Sequence, residues 1–186
     1  MFLSDTDIFA KAPARLTAAG VSDILGKYIA LADWKIASIL VDEYYCTAVA
    51  DLETKAIRTV KDNLKEIAAG EKDACEKLMY ALILSGLAMQ MTGNSRPASG
   101  AEHHMVHLWD MEVVNGHLDA LHGEKVSAAT MLVLLEYKKL ADAIRRGACR
   151  VHAFTDGDTE LLQETFGRKG ILGALEKKTP RNFWTM

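Results

Sequence analysis

The scarcity of helix-breaking residues most constrains what this chain can fold into. Only 3 of its 186 residues are proline, and alanine, leucine, lysine and glutamate supply good helix formers throughout. No stretch shows the apolar–polar alternation or the β-branched runs that are typical of the strands of a sheet. The sequence therefore predicts an all-α multi-helix bundle that forms one domain over residues 1–186.

Glycines and capping residues divide the chain into predicted helices. Pro13 suits the first turn of an opening helix, and a break at Gly20 followed by a Ser22–Asp23 cap begins a second helix that ends near Leu40. The remaining predicted helices span approximately residues 42–69, 71–91, 99–113, 123–146, 159–166 and 172–178.

Composition and charge exclude several classes of protein. A net charge of −3 argues against nucleic acid or an anionic membrane as a partner. The longest strongly apolar run, residues 79–91, is too short to span a bilayer, and the first ten residues do not resemble a signal peptide. The 3 cysteines show no paired spacing, which indicates reduced thiols. We therefore expect a cytoplasmic protein that binds neither nucleic acid nor membrane.

Residues 99–126 hold the densest group of chemically reactive side chains. His103 and His107 are separated by four positions, so that in a helix they lie on one face. His122 follows a glycine-containing loop and could return to the same point from the start of the next helix. This pattern indicates either a metal site or surface histidines that cluster without a function.

Asp23 is the candidate that would complete a metal site. It could simply cap a helix, because aspartate often accepts a backbone N–H in the first helical turn. It could also supply the anionic oxygen that two imidazoles need to make a three-ligand site. One carboxylate and two imidazoles suit Zn²⁺, Fe²⁺ or Ni²⁺, and three protein ligands leave positions open for a substrate.

Three motifs carry a resemblance to a known family. They are Ala-Gly-x-x-Asp-x-Leu-Gly-Lys-Tyr at 19–28, Gly-Asn-Ser-Arg-Pro-Ala-Ser-Gly-x-Glu-His-His at 93–104, and His-Gly-Glu-Lys-Val at 122–126. In this order they resemble the C-terminal helical domain of bacterial glycerol-1-phosphate dehydrogenases. These enzymes belong to the wider superfamily of glycerol dehydrogenases, iron-containing alcohol dehydrogenases and dehydroquinate synthases. The resemblance covers about three quarters of the chain, and it implies that the metal ligands are Asp23, His103 and His122.

The resemblance also implies roles around the metal. His107 corresponds to a substrate-side histidine. Lys27 stands where iron-containing alcohol dehydrogenases commonly have a fourth ligand, and its ammonium group would point toward the substrate. Arg96 and Ser95 precede a helix and are well placed for a substrate phosphate. The alternatives are a local loop contact for Arg96 and a solvated Lys27. Residues that adjoin the ligands could fix imidazole tautomers or be merely structural: Glu102, His104 and Glu124.

The implied activity is the metal-assisted, NAD(P)-dependent reduction of dihydroxyacetone phosphate to sn-glycerol 1-phosphate, a reaction of phospholipid metabolism. The sequence has no Gly-x-Gly-x-x-Gly after a strand, so we expect NAD(P) to bind only if a separate nucleotide-binding domain is supplied, and the chain alone to be inactive. The alternatives are a split-enzyme subunit or remnant that binds metal without catalysis, and a dehydrogenase of an unphosphorylated polyol such as glycerol. We expect a homo-oligomer, because the face that bears the site would lack its covering domain.

Overall fold

The computed structural model describes residues 5–111 and 119–149, and every regular element in these two ranges is a helix. The prediction of an all-α fold is therefore confirmed for this part of the chain. The predicted helices at 159–166 and 172–178 lie outside the described residues. In chain order the helices are α1 (Thr6–Ala10), α2 (Ala14–Leu40), α3 (Thr47–Lys61), α4 (Leu64–Ala68), α5 (Lys72–Thr92), α6 (Ala101–Asp110) and α7 (His122–Arg145).

Two predicted helix boundaries are wrong. The predicted break at Gly20 does not occur, because Gly20 lies inside α2 and packs beside α5. Asp23 is consequently an interior residue of α2 and not a cap. The predicted helix at 42–69 is two helices, α3 and α4, with residues 42–46 outside both. Between them the Asn63 side chain donates a hydrogen bond to the Thr59 carbonyl (2.7 Å), so that a local side-chain contact competes with a continuous helix.

The main apolar core lies between α2, α3 and α5. Its largest fully buried side chains are Trp34 and Ile24 on α2, Ile57 on α3 and Leu78 on α5. Burial of such side chains contributes about 1.5–3 kcal/mol each to stability, so this cluster supplies most of the energy that holds the bundle together. None of the described helices is both long and apolar enough to cross a membrane.

A second interface joins α2 to α6 and α7. The helices α2 and α7 run parallel, since Gly123 packs on Ala19 near the start of both and Tyr137 donates a hydrogen bond to Asp33 further along. The apolar cluster in this region is small and consists of Val106, Val126 and Ala129, with Met105 and Trp109 packed against it. The candidate site lies in this second interface.

Candidate metal centre

Three side chains from three helices converge at the α2–α6–α7 interface. Asp23 Oδ1 lies 3.4 Å from His103 Nε2 and 3.8 Å from His122 Nε2, and the two imidazole ring centres are 5.2 Å apart. The three ligand atoms all lie within 4.8 Å of one another. Within residues 5–111 and 119–149 this is the one group of three or more such side chains close enough to share a metal ion.

A glycine permits the helix contact that brings His122 to Asp23. A Cβ atom on Gly123 would lie 2.0 Å from the Ala19 carbonyl oxygen, far inside van der Waals contact. The backbones of α2 and α7 therefore touch at this point, which only glycine allows. His122 is the residue just before that contact, and Asp23 follows Ala19 by one helical turn. The contact thus places the two side chains beside each other.

The N-terminus of α6 is held by carboxylates rather than by its own cap. Its cap residue, Gly100, has no side chain, and Asp33 of α2 instead accepts a hydrogen bond from the Ala101 N–H (2.7 Å). Asp33 also accepts a hydrogen bond from Tyr137 of α7, and this contact, after burial, raises the pKa of Tyr137. These bonds fix the helix end from which His103 projects.

The charge of Asp23 is maintained by its neighbours. Burial raises the pKa of Asp23, but the contact with His103 and the charge of Lys27 outweigh burial and lower the pKa to about 2. Lys27 is buried and its Nζ lies 2.9 Å from Asp23 Oδ2, which leaves Oδ1 facing the imidazoles. An ionised carboxylate with one oxygen neutralised and the other directed at two histidines is well suited to hold a cation.

The two histidines differ in their environments. Burial lowers the pKa of His103, but the carboxylates of Asp23 and Glu102 outweigh burial and raise it. The His122 side chain is 48% exposed, and even partial burial lowers its pKa, with a further contribution from the neighbouring His103. His122 is thus ready to bind as a neutral imidazole, whereas a metal at His103 would compete with a proton.

The donor set and its spacing fit a divalent metal ion. Ligand atoms about 2.1 Å from one ion at tetrahedral angles lie about 3.4 Å apart. The observed separations from Asp23 Oδ1, 3.4 and 3.8 Å, are close to this value. One carboxylate oxygen and two imidazole nitrogens suit Zn²⁺, Fe²⁺ or Ni²⁺ and would leave coordination positions open.

The other predicted site residues have different surroundings. His107 is exposed, and its ring centre lies 6.3 Å from that of His103, so it borders the triad on α6. Arg96 makes a two-pronged ion pair with Glu43, with both nitrogen–oxygen distances 2.6 Å. Ser95 is exposed, and its carbonyl accepts the Ala98 N–H (2.9 Å) within the loop before α6. Lys27 pairs with Asp23, as described above. The roles of these four residues toward a substrate remain predictions.

Sequence reasoning missed three polar residues that support the site. Asp33 and Tyr137, about a hundred positions apart, meet beside the α6 N-terminus. Glu53 of α3 is fully buried near Lys27, and this burial raises the pKa of its carboxyl group. No local motif marks these residues. Their only signal is a charged or phenolic side chain on a helical face that is otherwise apolar.

Comparison with known proteins agrees with the resemblance in the motifs, although no family model matches the chain. The chain is 35% identical, over an alignment of 187 positions, to a glycerol-1-phosphate dehydrogenase (NAD(P)+) of Geobacillus thermodenitrificans; the alignment covers 94% of this chain and 46% of that protein. The Halalkalibacterium halodurans protein of the same name is 43% identical over 139 residues, which cover 74% and 35%. The Pyrococcus horikoshii protein of that name is 35% identical over 167 residues, which cover 87% and 47%.

These alignments include most of this chain and less than half of each relative. The chain spans 35–47% of the length of these three proteins. Over the region that it shares with them, the chain is a homologue of glycerol-1-phosphate dehydrogenases.

Proposed function

We propose that this chain supplies the metal-binding part of an NAD(P)-dependent sn-glycerol-1-phosphate dehydrogenase. The observation that supports the proposal is the convergence of Asp23, His103 and His122 in a chain that is homologous to these enzymes. Homology alone assigns no role to a chain that spans less than half of its relatives. The donor set supports a metal-binding role, because an open three-ligand site is the arrangement of a catalytic metal.

The proposed chemistry is the interconversion of dihydroxyacetone phosphate and sn-glycerol 1-phosphate. A bound zinc, nickel or iron ion supplies a Lewis acid that stabilises negative charge on the substrate oxygen. Asp23 and the two imidazoles would hold this ion, while Lys27 balances the charge of Asp23. His107, exposed beside His103, would exchange a proton with a substrate hydroxyl.

We assign the substrate phosphate to Arg96 and Ser95. One observation favours a second candidate function, in which the substrate has no phosphate. Because Glu43 occupies the Arg96 guanidinium, a phosphate has to displace a carboxylate. This favours a dehydrogenase of glycerol or another unphosphorylated polyol. Titration with inorganic phosphate separates the two. A phosphate site at Arg96 predicts tighter binding to Glu43→Gln and no binding to Arg96→Gln, whereas equal behaviour of both variants and the wild type favours the polyol.

The hydride donor, NAD(P)H, is assigned to a separate nucleotide-binding domain. The two described ranges contain no strand–glycine loop–helix unit that could cradle a pyrophosphate. We expect the isolated chain not to oxidise NAD(P)H in the presence of dihydroxyacetone phosphate, and turnover by this polypeptide alone would contradict the proposal. Activity that returns on mixing with a nucleotide-binding domain supports a split enzyme. A chain that binds metal but stays inactive supports a metal-binding domain without catalysis.

We also propose a homo-oligomer. Large apolar side chains of α7 lie between 46% and 60% exposed: Met131, Leu132, Leu134, Leu135, Leu140 and Ile144. Apolar surface of this extent is commonly covered by a partner. Light scattering coupled to size-exclusion chromatography gives the mass directly. A monomer at high protein concentration would contradict this part of the proposal.

The metal site is tested by titrating zinc into the purified, metal-stripped protein and three ligand variants. Asp23→Ala, His103→Ala and His122→Ala should each bind zinc at least 100-fold more weakly, since each removes a ligand from a three-ligand site. His104→Ala is the matched control, because His104 is exposed and neighbours His103 without joining the triad. Undiminished affinity in all three ligand variants would contradict the proposal.

A further inference from the structure

We infer that Glu102 is a positioning residue that holds His103 with its proton on Nδ1 and thereby directs Nε2 at the metal site. The inference rests on the proposed metal-binding role of the triad. Glu102 is not one of the three ligands, and its side chain is fully buried at the start of α6. Burial of a carboxylate costs free energy unless a polar partner compensates it, so Glu102 needs hydrogen-bond partners.

The contacts of Glu102 determine which nitrogen of the His103 ring carries the hydrogen. Glu102 Oε1 lies 2.8 Å from His103 Nδ1 and also accepts the Gly100 N–H (3.1 Å). Oε1 already accepts the Gly100 N–H, and as an acceptor toward the ring as well it places the hydrogen on Nδ1. In a neutral imidazole, Nε2 then has a free lone pair, and this is the atom 3.4 Å from Asp23 Oδ1. A carboxylate behind a metal-binding histidine fixes the tautomer in this way.

Close packing holds the Glu102 carboxylate in place. A Cβ atom on Gly100 would lie 2.8 Å from Glu102 Oε2, so the carboxylate fits only because residue 100 is glycine. On its other side, Glu102 Cγ lies 3.6 Å from where a Cβ of Gly26 would be. Oε2 has no hydrogen-bond partner among the described residues, so the polar contacts of the carboxylate run through Oε1. In such a buried position a hydrogen bond is stronger than at the surface.

A purely structural role for Glu102 is the alternative, because its bond to Gly100 also supports the end of α6. Asp33 provides the matched control. It supports the same helix end through the Ala101 N–H, but it acts on the backbone and not on the imidazole. A variant of Asp33 should therefore lower stability without changing the tautomer of His103.

The test is nitrogen-15 NMR of the histidine side chains in the full chain without metal, recorded over a pH series that extends until His103 is neutral, followed by zinc titration. Wild type should show His103 protonated on Nδ1. Glu102→Ala should give a mixture of tautomers and about 10–100-fold weaker zinc binding. Glu102→Gln keeps an oxygen that accepts from Nδ1, so it should retain the tautomer and most of the affinity. Asp33→Asn should lower the melting temperature and leave the tautomer of His103 unchanged.

Several results would overturn the inference. They are a wild-type His103 protonated on Nε2, an unchanged tautomer in Glu102→Ala, or an equal change in Asp33→Asn. If Glu102→Ala does not fold, Glu102→Met replaces it, because methionine has a similar length and cannot accept the bond strongly. The tautomer is read without metal, so a failure of zinc binding in the wild type would count against the proposed function and not against this inference.

Discussion

The two sides of α2 are built in different ways. Toward α3 and α5, the helix buries large apolar side chains such as Trp34 and Ile24. Toward α6 and α7, it presents small residues and charged ones, so that its backbone touches Gly123 and its Asp23 carboxylate meets two histidines. One side holds the bundle together, and the other brings polar groups to fixed distances.

This difference concerns how each interface tolerates displacement. Apolar contacts are non-directional, so a shifted side chain still buries its surface. Metal ligands and hydrogen bonds need their partners within a few tenths of an ångström. The backbone contact between Ala19 and Gly123 supplies that precision, because it leaves no flexible side chain between the two helices. We therefore expect core substitutions to change stability, and substitutions at the second interface to change metal binding.

The largest expected effect on stability is in the apolar core. Ile57→Ala should lower the free energy of unfolding by about 2–5 kcal/mol, because Ile57 is fully buried and the change leaves a cavity. Zinc affinity of the folded variant should stay within about twofold of wild type, since distant sites act independently. Urea denaturation and zinc titration measure the two quantities. Ile39→Ala, at a position 70% exposed, is the control and should change stability by less than about 0.5 kcal/mol. Weaker zinc binding in Ile57→Ala would show that the two interfaces are coupled.

An intermediate effect on stability, with a large effect on metal binding, is expected at the helix contact. In Gly123→Ala the new methyl group would meet the Ala19 backbone, which should force α7 away from α2 and cost about 1–3 kcal/mol. Because His122 moves with α7, zinc affinity should fall at least tenfold. Gly86→Ala is the control: Gly86 lies inside α5 with nothing within 4 Å of the added atom, so this variant should gain about 0.5–1 kcal/mol. Normal zinc binding in Gly123→Ala would contradict the role of the contact.

The smallest expected effect is the pH dependence caused by Glu53. Burial raises the pKa of Glu53, while the Ser85 hydroxyl and the charge of Lys27 oppose this. The folded state therefore holds the proton more tightly than the unfolded state. Glu53 contributes stability that is complete below its unfolded pKa, about 4.3, and is lost as pH rises through the folded pKa.

The comparison variant is Glu53→Gln, which cannot ionise. From acid to neutral pH, wild-type stability should fall relative to Glu53→Gln by no more than about 1.4 kcal/mol per pH unit. Ser85→Ala removes a group that favours the charged form and should extend this fall to higher pH. Denaturation curves at a series of pH values measure both. Parallel profiles for wild type and Glu53→Gln would show that burial does not perturb this carboxyl group.

Local sequence signals predicted most helices but failed where tertiary contacts decide. The predicted helices at 71–91 and 123–146 agree with α5 and α7 to within one residue at each end. Gly20 was wrongly predicted to break a helix, because its cost is offset by packing beside α5. The break at Asn63 was missed, because it depends on a side-chain bond to Thr59 and on Lys77 of α5, which donates to Asn63 Oδ1.

By itself the sequence determined the helical class, the family and the identity of the three converging side chains. Helix propensity and ordered motifs are local properties, and they can be read residue by residue. Only the tertiary structure decided that Glu43 occupies Arg96 and that Asp33 meets both Tyr137 and the Ala101 N–H. These partners depend on how closely the helices approach and in which direction each side chain points. The close approach of α2 and α7 depends on the contact between Gly123 and Ala19, which are far apart in the sequence, so no local pattern encodes it.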